Sequence, residues 1–101
     1  MSSYGLASKV NAHPGKREEL VEVLLEVSRL VFHNDGCLSY VVSTVPADGD
    51  AVFVTEYWHS HDALRTAFSL PGIFELMHQC QALITGFEQT ELHPLNMQPP
   101  Q

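Results

Sequence analysis

Three side chains in this sequence join reactive chemistry to a defined place in a repeating pattern: Glu56, Trp58 and His78. Glu56 shares strand parity with Val54 and Trp58, so an acid stands among apolar neighbours. Such a carboxylate is either paired, with Arg65 as the available partner, or perturbed. Trp58 closes its strand directly before a helix, where an indole can wall a flat aromatic pocket and donate one hydrogen bond to a substrate oxygen, or can simply pack. His78 follows Phe74 by four residues and Met77 by one, at the margin of a helical apolar face. There it can titrate near neutral pH and take a phenolic or α-keto proton, or sit half-buried on water or backbone. Glu75 is the carboxylate at helical spacing that could orient it.

Asn11 ends the first strand, where its amide can orient a substrate carbonyl or bond the Pro14–Gly15 turn. Tyr40 and Tyr57 bring phenols from inner strands that can bond a ligand or pack. With Glu56 and Phe74, these residues form the expected substrate-contacting set, and His78 and Trp58 the expected catalytic pair. His59 and His61, near Glu56 and Asp62, look like metal ligands only if the strand continues through Ser60; Ser60 fits a helix cap better, and no third ligand stands at a fixed spacing. No metal is therefore expected. Cys37 and Cys80 are 43 residues apart with no second pair, which is neither a zinc framework nor a disulfide scaffold, and both read as small buried apolar residues.

The elements that must position these side chains follow from periodicity. Tyr4 to Asn11 alternates with a period of two and predicts a strand, halted by His13, Pro14 and Gly15. Leu20, Val23, Leu24, Val27, Leu30 and Val31 then recur at helical spacing behind Glu18 and Glu19, which favour a first helical turn. Asn34, Asp35 and Gly36 tolerate left-handed backbone angles and predict the helix end. Cys37–Thr44 and Ala51–Trp58 are β-rich runs separated by the turn-forming residues 45–50, an expected antiparallel hairpin. Ser60 is positioned to cap a second helix, broken at Pro71 and Gly72. A third helical stretch carries Ile73, Phe74, Met77, Cys80 and Ile84, and Gly86 precedes a last strand, Phe87–His93.

The order is βαββαβ, which predicts an α+β, ferredoxin-like fold with a four-stranded antiparallel sheet and its helices on one face. A chain of 101 residues supports one core, so residues 1–95 are expected as a single domain and 96–101 as an irregular, proline-rich tail. A formal charge of -7, with the five basic residues unclustered, gives nucleic acid nothing to hold. The absence of a long apolar run or signal-like start predicts no membrane contact and a cytoplasmic location. In the middle strands both parities are apolar: Val52, Val54 and Trp58 against Phe53 and Tyr57, and Tyr40 and Val42 against Cys37 and Val41. One helical layer covers one sheet face, so a second copy is expected on the other, making a homodimer.

Gly36-Cys37-Leu38-Ser39-Tyr40, Glu56-Tyr57-Trp58 running into His61-Asp62-Ala63-Leu64, Pro71 followed by Phe74, and Gly86-Phe87-Glu88 occur in an order and spacing that resembles the antibiotic biosynthesis monooxygenase family of dimeric α+β barrels, over about residues 4 to 93. The family includes cofactor-independent oxygenases of quinols and polyketide anthrones, haem-degrading enzymes and an isomerase of a signalling-molecule catabolite. In the oxygenases the site lies between the sheet and helices of each protomer. An electron-rich aromatic substrate is deprotonated there, and its carbanion reduces oxygen directly, without metal or flavin. The resemblance thus implies a cofactor-independent monooxygenase acting on a small aromatic, quinol or anthrone-like molecule, with no cofactor. The alternative is a non-catalytic dimeric barrel that binds a small hydrophobic ligand.

Two departures qualify that implication. Many members carry a histidine in the helix after the Glu-x-Trp strand, where this chain has Ala67. The haem-degrading branch places asparagine on the first strand, tryptophan at that same helical position and histidine one helical segment later. Ser8, Ala67 and His78 stand there here, one match in three, so a haem-binding or haem-degrading protein is the minor alternative.

Overall fold

A computed structural model describes residues 3–97. Positions 98–101 of the proline-rich tail lie outside the described residues. The elements run β1 (Tyr4–Ala12), α1 (Arg17–Phe32), β2 (Cys37–Val45), β3 (Asp48–Trp58), α2 (His61–Ala67), α3 (Ile73–Leu83) and β4 (Ile84–Leu92). The strands form one sheet in the order β2-β3-β1-β4, every neighbouring pair antiparallel, which is the expected ferredoxin-like α+β arrangement.

The register decides which side chains meet the helices. Leu6 and Tyr40 both pair with Glu56, Ser8 and Val42 with Val54, and Cys37 and Tyr4 with Trp58, so these residues share one face. Leu20, Leu24, Val27 and Val31 of α1 pack there with Tyr40, Val52, Val54 and Trp58. On the opposite face Phe53 and Val41 remain 38% and 50% exposed. Cys37 departs from the expected parity. The pairing shifts between Cys37 and Ser39, so one extra β2 residue is inserted and Cys37 joins the helix-covered side instead of the side of Val41.

Other boundaries move for local reasons. The hairpin turn is tighter than residues 45–50: Val45 pairs with Asp48, Pro46 and Ala47 alone form the turn, and Asp48 Oδ1 accepts from the Asp50 amide at 3.1 Å. Ile84 opens β4 rather than closing α3, because it pairs with Ala12 after a register shift that leaves Thr85 as an extra residue. The strand ends at Leu92, one residue before the expected His93.

The helix ends use different devices. Gly15 and Gly72, at φ of 81° and 92°, take the left-handed backbone that punctuates the chain before α1 and α3. No residue of the Asn34–Gly36 segment does so, contrary to expectation. There the Asn34 side chain accepts from the Gly36 amide at 2.8 Å, and the His59 amide donates to the Gly36 carbonyl at 2.9 Å. Glycine is required at 36 by close approach: a Cβ there would lie 2.5 Å from the Ala63 Cβ. Ser60 caps α2 as expected, its hydroxyl accepting from the Ala63 amide at 3.1 Å.

Gly36→Ala is expected to cost about 1–3 kcal/mol by forcing α2 away from the strand end. Ser60→Ala should cost about 1 kcal/mol. Gly49→Ala, where a Cβ meets nothing within 4 Å, serves as the control and should stay within about 0.5 kcal/mol of the parent. Equilibrium denaturation of the three variants checks the ranking.

Candidate functional site

Alternation along β3 turns Val52, Val54, Glu56 and Trp58 toward the helices. A cavity of about 250 Å³ remains between this face and the helical layer. Its floor carries the polarity: Ser8 from β1, Tyr40 from β2, Glu56 from β3 and Gln89 from β4. Leu20 and Leu24 of α1 with Met77 and Cys80 of α3 form a largely apolar roof, in which Gln81 is the one polar side chain. Ser8 and Gln89 bond each other, Nε2 donating to Oγ at 3.2 Å.

Glu56 is 4% exposed. Its Oε1 accepts from Trp58 Nε1 at 2.9 Å, the two side chains standing two residues apart on one strand face. No hydrogen bond holds Oε2 among the described residues, yet none of their fully buried polar side-chain atoms lacks a partner, so this oxygen looks into the cavity. Burial pushes the Glu56 carboxyl above its ordinary value, and the Trp58 N–H opposes part of that rise. Burial, with Glu56 adding, raises the Tyr40 phenol. The Cys80 thiol, also on the cavity wall, is pushed up to about 11 by burial and is neutral at physiological pH. No lysine, arginine or histidine lines the cavity.

The expected site residues separate. Tyr40 and Glu56 line the cavity. Trp58 stands behind Glu56, 0% exposed, with Phe68 edge-on at 6.0 Å between ring centroids. Asn11 and Tyr57 belong to the opposite sheet face, where the Asn11 carbonyl accepts from Thr85 Oγ1 at 3.3 Å. Phe74 and His78 lie on the outer side of α3, Phe74 77% exposed. The buried stripe of α3 runs instead through Ile73, Leu76, Met77 and Cys80. Arg65 pairs with Asp62 at 3.5 Å rather than with Glu56. Ser8 and Gln89 were missed as cavity residues; the available signal was a polar side chain at an inward strand position. The His61 ring packs on Tyr4, centroids 4.8 Å apart, and no group of three His, Cys, Asp or Glu side chains suited to a metal occurs among the described residues.

The sequence pattern of antibiotic biosynthesis monooxygenases matches residues 3–78. The chain belongs to this family. A Chloroflexus aurantiacus J-10-fl protein provisionally assigned to the same family is 36% identical over 96% of this chain and 97% of its own, with a TM-score of 0.87. A Caulobacter crescentus CB15 protein with the same provisional assignment reaches a TM-score of 0.86 at 21% identity, over 94% of this chain and 92% of its own. SnoaB, a cofactor-independent oxygenase from Streptomyces nogalater, shares the fold at a TM-score of 0.84 and 18% identity, over 99% of this chain and 100% of its own. No curated protein matches significantly. No helix among the described residues is long and apolar enough to cross a membrane.

The raised Glu56 carboxyl has a consequence for stability. Unfolded, it titrates near the ordinary 4.5; folded, it titrates higher. Between those values the folded state keeps a proton that the unfolded state has lost, so stability falls as pH rises through the window and levels off above it. Glu56→Gln keeps an acceptor for Trp58 and removes the charge. Its melting temperature should exceed the parent's at about pH 8, and the gap should close as pH falls toward 4.5. A gap independent of pH in thermal melts would refute the raised carboxyl.

Proposed function

We propose that the protein is a cofactor-independent monooxygenase and that the cavity over Glu56 is its reaction chamber. Family membership supports the reaction class. The observation that carries the reading is a desolvated carboxylate with one oxygen on an indole N–H and the other facing an apolar cavity. A carboxyl raised by burial is a stronger base than a solvated one, and it can return its proton later in the same cycle. The cavity suits a small aromatic, quinol or anthrone-like molecule. His78 lies outside it, so this reading assigns the proton to Glu56.

For an anthrone-like substrate the balance is CH2 plus O2 giving C=O plus H2O. Glu56 takes one C–H proton, leaving a carbanion that reduces oxygen and bonds to it as a peroxide anion. The carboxyl returns the proton to the distal oxygen. Removal of the second C–H proton forms C=O as the O–O bond breaks, and the departing hydroxide leaves as water with that proton. Carbon loses four electrons, and oxygen supplies both the oxidant and the inserted atom. Tyr40, its phenol protonated, can donate to the enolate oxygen of the deprotonated substrate. Trp58 is then a positioning residue.

The assembly in this reading is a homodimer formed across the open sheet face. Val41, exposed beside Thr55 and Ala7, and Phe53, exposed between Lys9 and Ser43, give that face an apolar centre with polar neighbours that a partner sheet can cover. Sedimentation at micromolar concentration should give twice the chain mass, and Val41→Lys with Phe53→Lys should give a folded monomer. A compact monomer of the parent chain would overturn the assembly.

Oxygen uptake with a panel of anthrones and hydroquinones, without flavin, nicotinamide or metal, tests the chemistry. Glu56→Gln should lower kcat about 10²–10⁴-fold while remaining folded. Trp58→Phe keeps the ring and loses the N–H that lowers the carboxyl, so the acidic limb of the kcat profile should move to higher pH. If His78→Ala abolishes uptake and Glu56→Gln does not, the base is on α3. No uptake across the panel would leave the ligand-binding barrel as the better account.

A further inference from the structure

The cavity is electrostatically one-sided. Glu56 is its single carboxylate, and no lysine, arginine or histidine lines it. No element packed around Glu56 brings a positive charge: β1, β4 and α3 contribute Ser8, Gln89 and Gln81, all uncharged. Tyr40 and Cys37 on β2, Tyr4 on β1 and Cys80 on α3 are the titratable groups on that side; phenols and thiols are neutral near pH 7 at their ordinary values and burial raises these further, and Tyr4 is committed to Glu91 at 2.6 Å. α1 contributes only Leu20 and Leu24. The carboxylate therefore meets one N–H, from Trp58, and no positive charge. A second anion brought under the same apolar roof would face like charge in a medium that screens poorly. It would find no cation to offset its own desolvation. A neutral group that donates O–H, N–H or an acidic C–H meets the opposite situation, because Oε2 is an acceptor with no partner.

We infer that the cavity selects uncharged aromatic ligands carrying a donor at one edge and rejects carboxylated, sulfonated or phosphorylated analogues of the same shape, with Glu56 as the specificity-determining residue. This deepens the reading above by naming the substrate class, and it rests on that reading only for locating the ligand in this cavity. Discrimination arises from a repulsive element rather than from a better attractive contact. It also limits the chemistry: a substrate tethered to an acidic carrier group must keep that group outside the cavity mouth.

The test is binding without turnover. Isothermal titration of the whole protein under anaerobic conditions at about pH 8 uses 1-naphthol as the neutral probe and 1-naphthoate as the anionic one. Naphthol should bind at least about tenfold more tightly than naphthoate, a margin expected of a close like-charge pair. Glu56→Gln should narrow the ratio to within about threefold, chiefly by tightening naphthoate. Equal affinities in the parent chain, an unchanged ratio in Glu56→Gln, or no binding of either probe would overturn the inference. Because no oxygen is consumed, a protein that discriminates in this assay yet shows no oxygen uptake retains the specificity and loses the monooxygenase reading. A protein that oxidises anionic substrates as readily as neutral ones keeps the chemistry and loses the specificity.

Discussion

The hydrogen bond from Trp58 Nε1 to Glu56 Oε1 is the contact on which the arrangement of the cavity turns. A carboxylate with so little exposure costs several kcal/mol to bury unless its charge is met by donors or neutralised. One indole N–H meets half of it and fixes where the carboxyl points. Trp58 can do so only because it is itself locked. Its strand partners are Tyr4 and Cys37, and Phe68 closes against its ring. Phe68 is placed by α2, a short helix begun by the Ser60 cap. Local capping chemistry at one end of α2 thus reaches the carboxylate through two aromatic rings.

The division between a polar floor and an apolar roof follows from the same topology. Strands β1 and β3 are paired on both sides, so their inward positions cannot slip by one residue without exposing the whole core set. Polar groups on such strands are held more exactly than they could be on a helix whose face is free to rotate by a fraction of a turn. α1 and α3 supply mainly hydrophobic cover at the cavity, Leu20, Leu24, Met77 and Cys80, with Gln81 as their one polar side chain there.

The sequence made the sheet legible because period-two alternation and antiparallel turns leave strong traces. The inward parity of Val52, Val54, Glu56 and Trp58 needed nothing more. It was silent where one residue changes parity. The inserted residue that turns Cys37 inward, and the extra Thr85 that lets Ile84 pair with Ala12, are set by register with distant strands rather than by local pattern. The α3 face illustrates a different limit. Phe74 fits helical spacing with Met77 and Cys80 as well as Leu76 does with Ile73 and Cys80, and only packing against α1 and the sheet partly buries Leu76 and leaves Phe74 outside. That choice puts Phe74 and His78 outside and leaves Glu56 as the one carboxylate inside. Ser8 and Gln89 entered the cavity without notice because single polar residues on inward strand positions are common where they satisfy each other.

Ala67 gives this arrangement a chemical logic. The family resemblance points to a histidine at that position in many members, and here the residue is a fully buried alanine at the end of α2. A methyl group there offers no acid or base, and it is buried in the same core cluster as Trp58. In the proposed reaction the base is then the cavity's single carboxylate, on the strand rather than the helix. A strand-borne carboxylate differs from a helix-borne imidazole in more than basicity. Deprotonated it is an anion, so the same group that accepts a proton also repels anionic ligands. An imidazole is neutral when ready to accept a proton and imposes no such filter. In the proposed reaction, exchanging one for the other couples reactivity to ligand charge, through a carboxylate that a second side chain of the same strand orients.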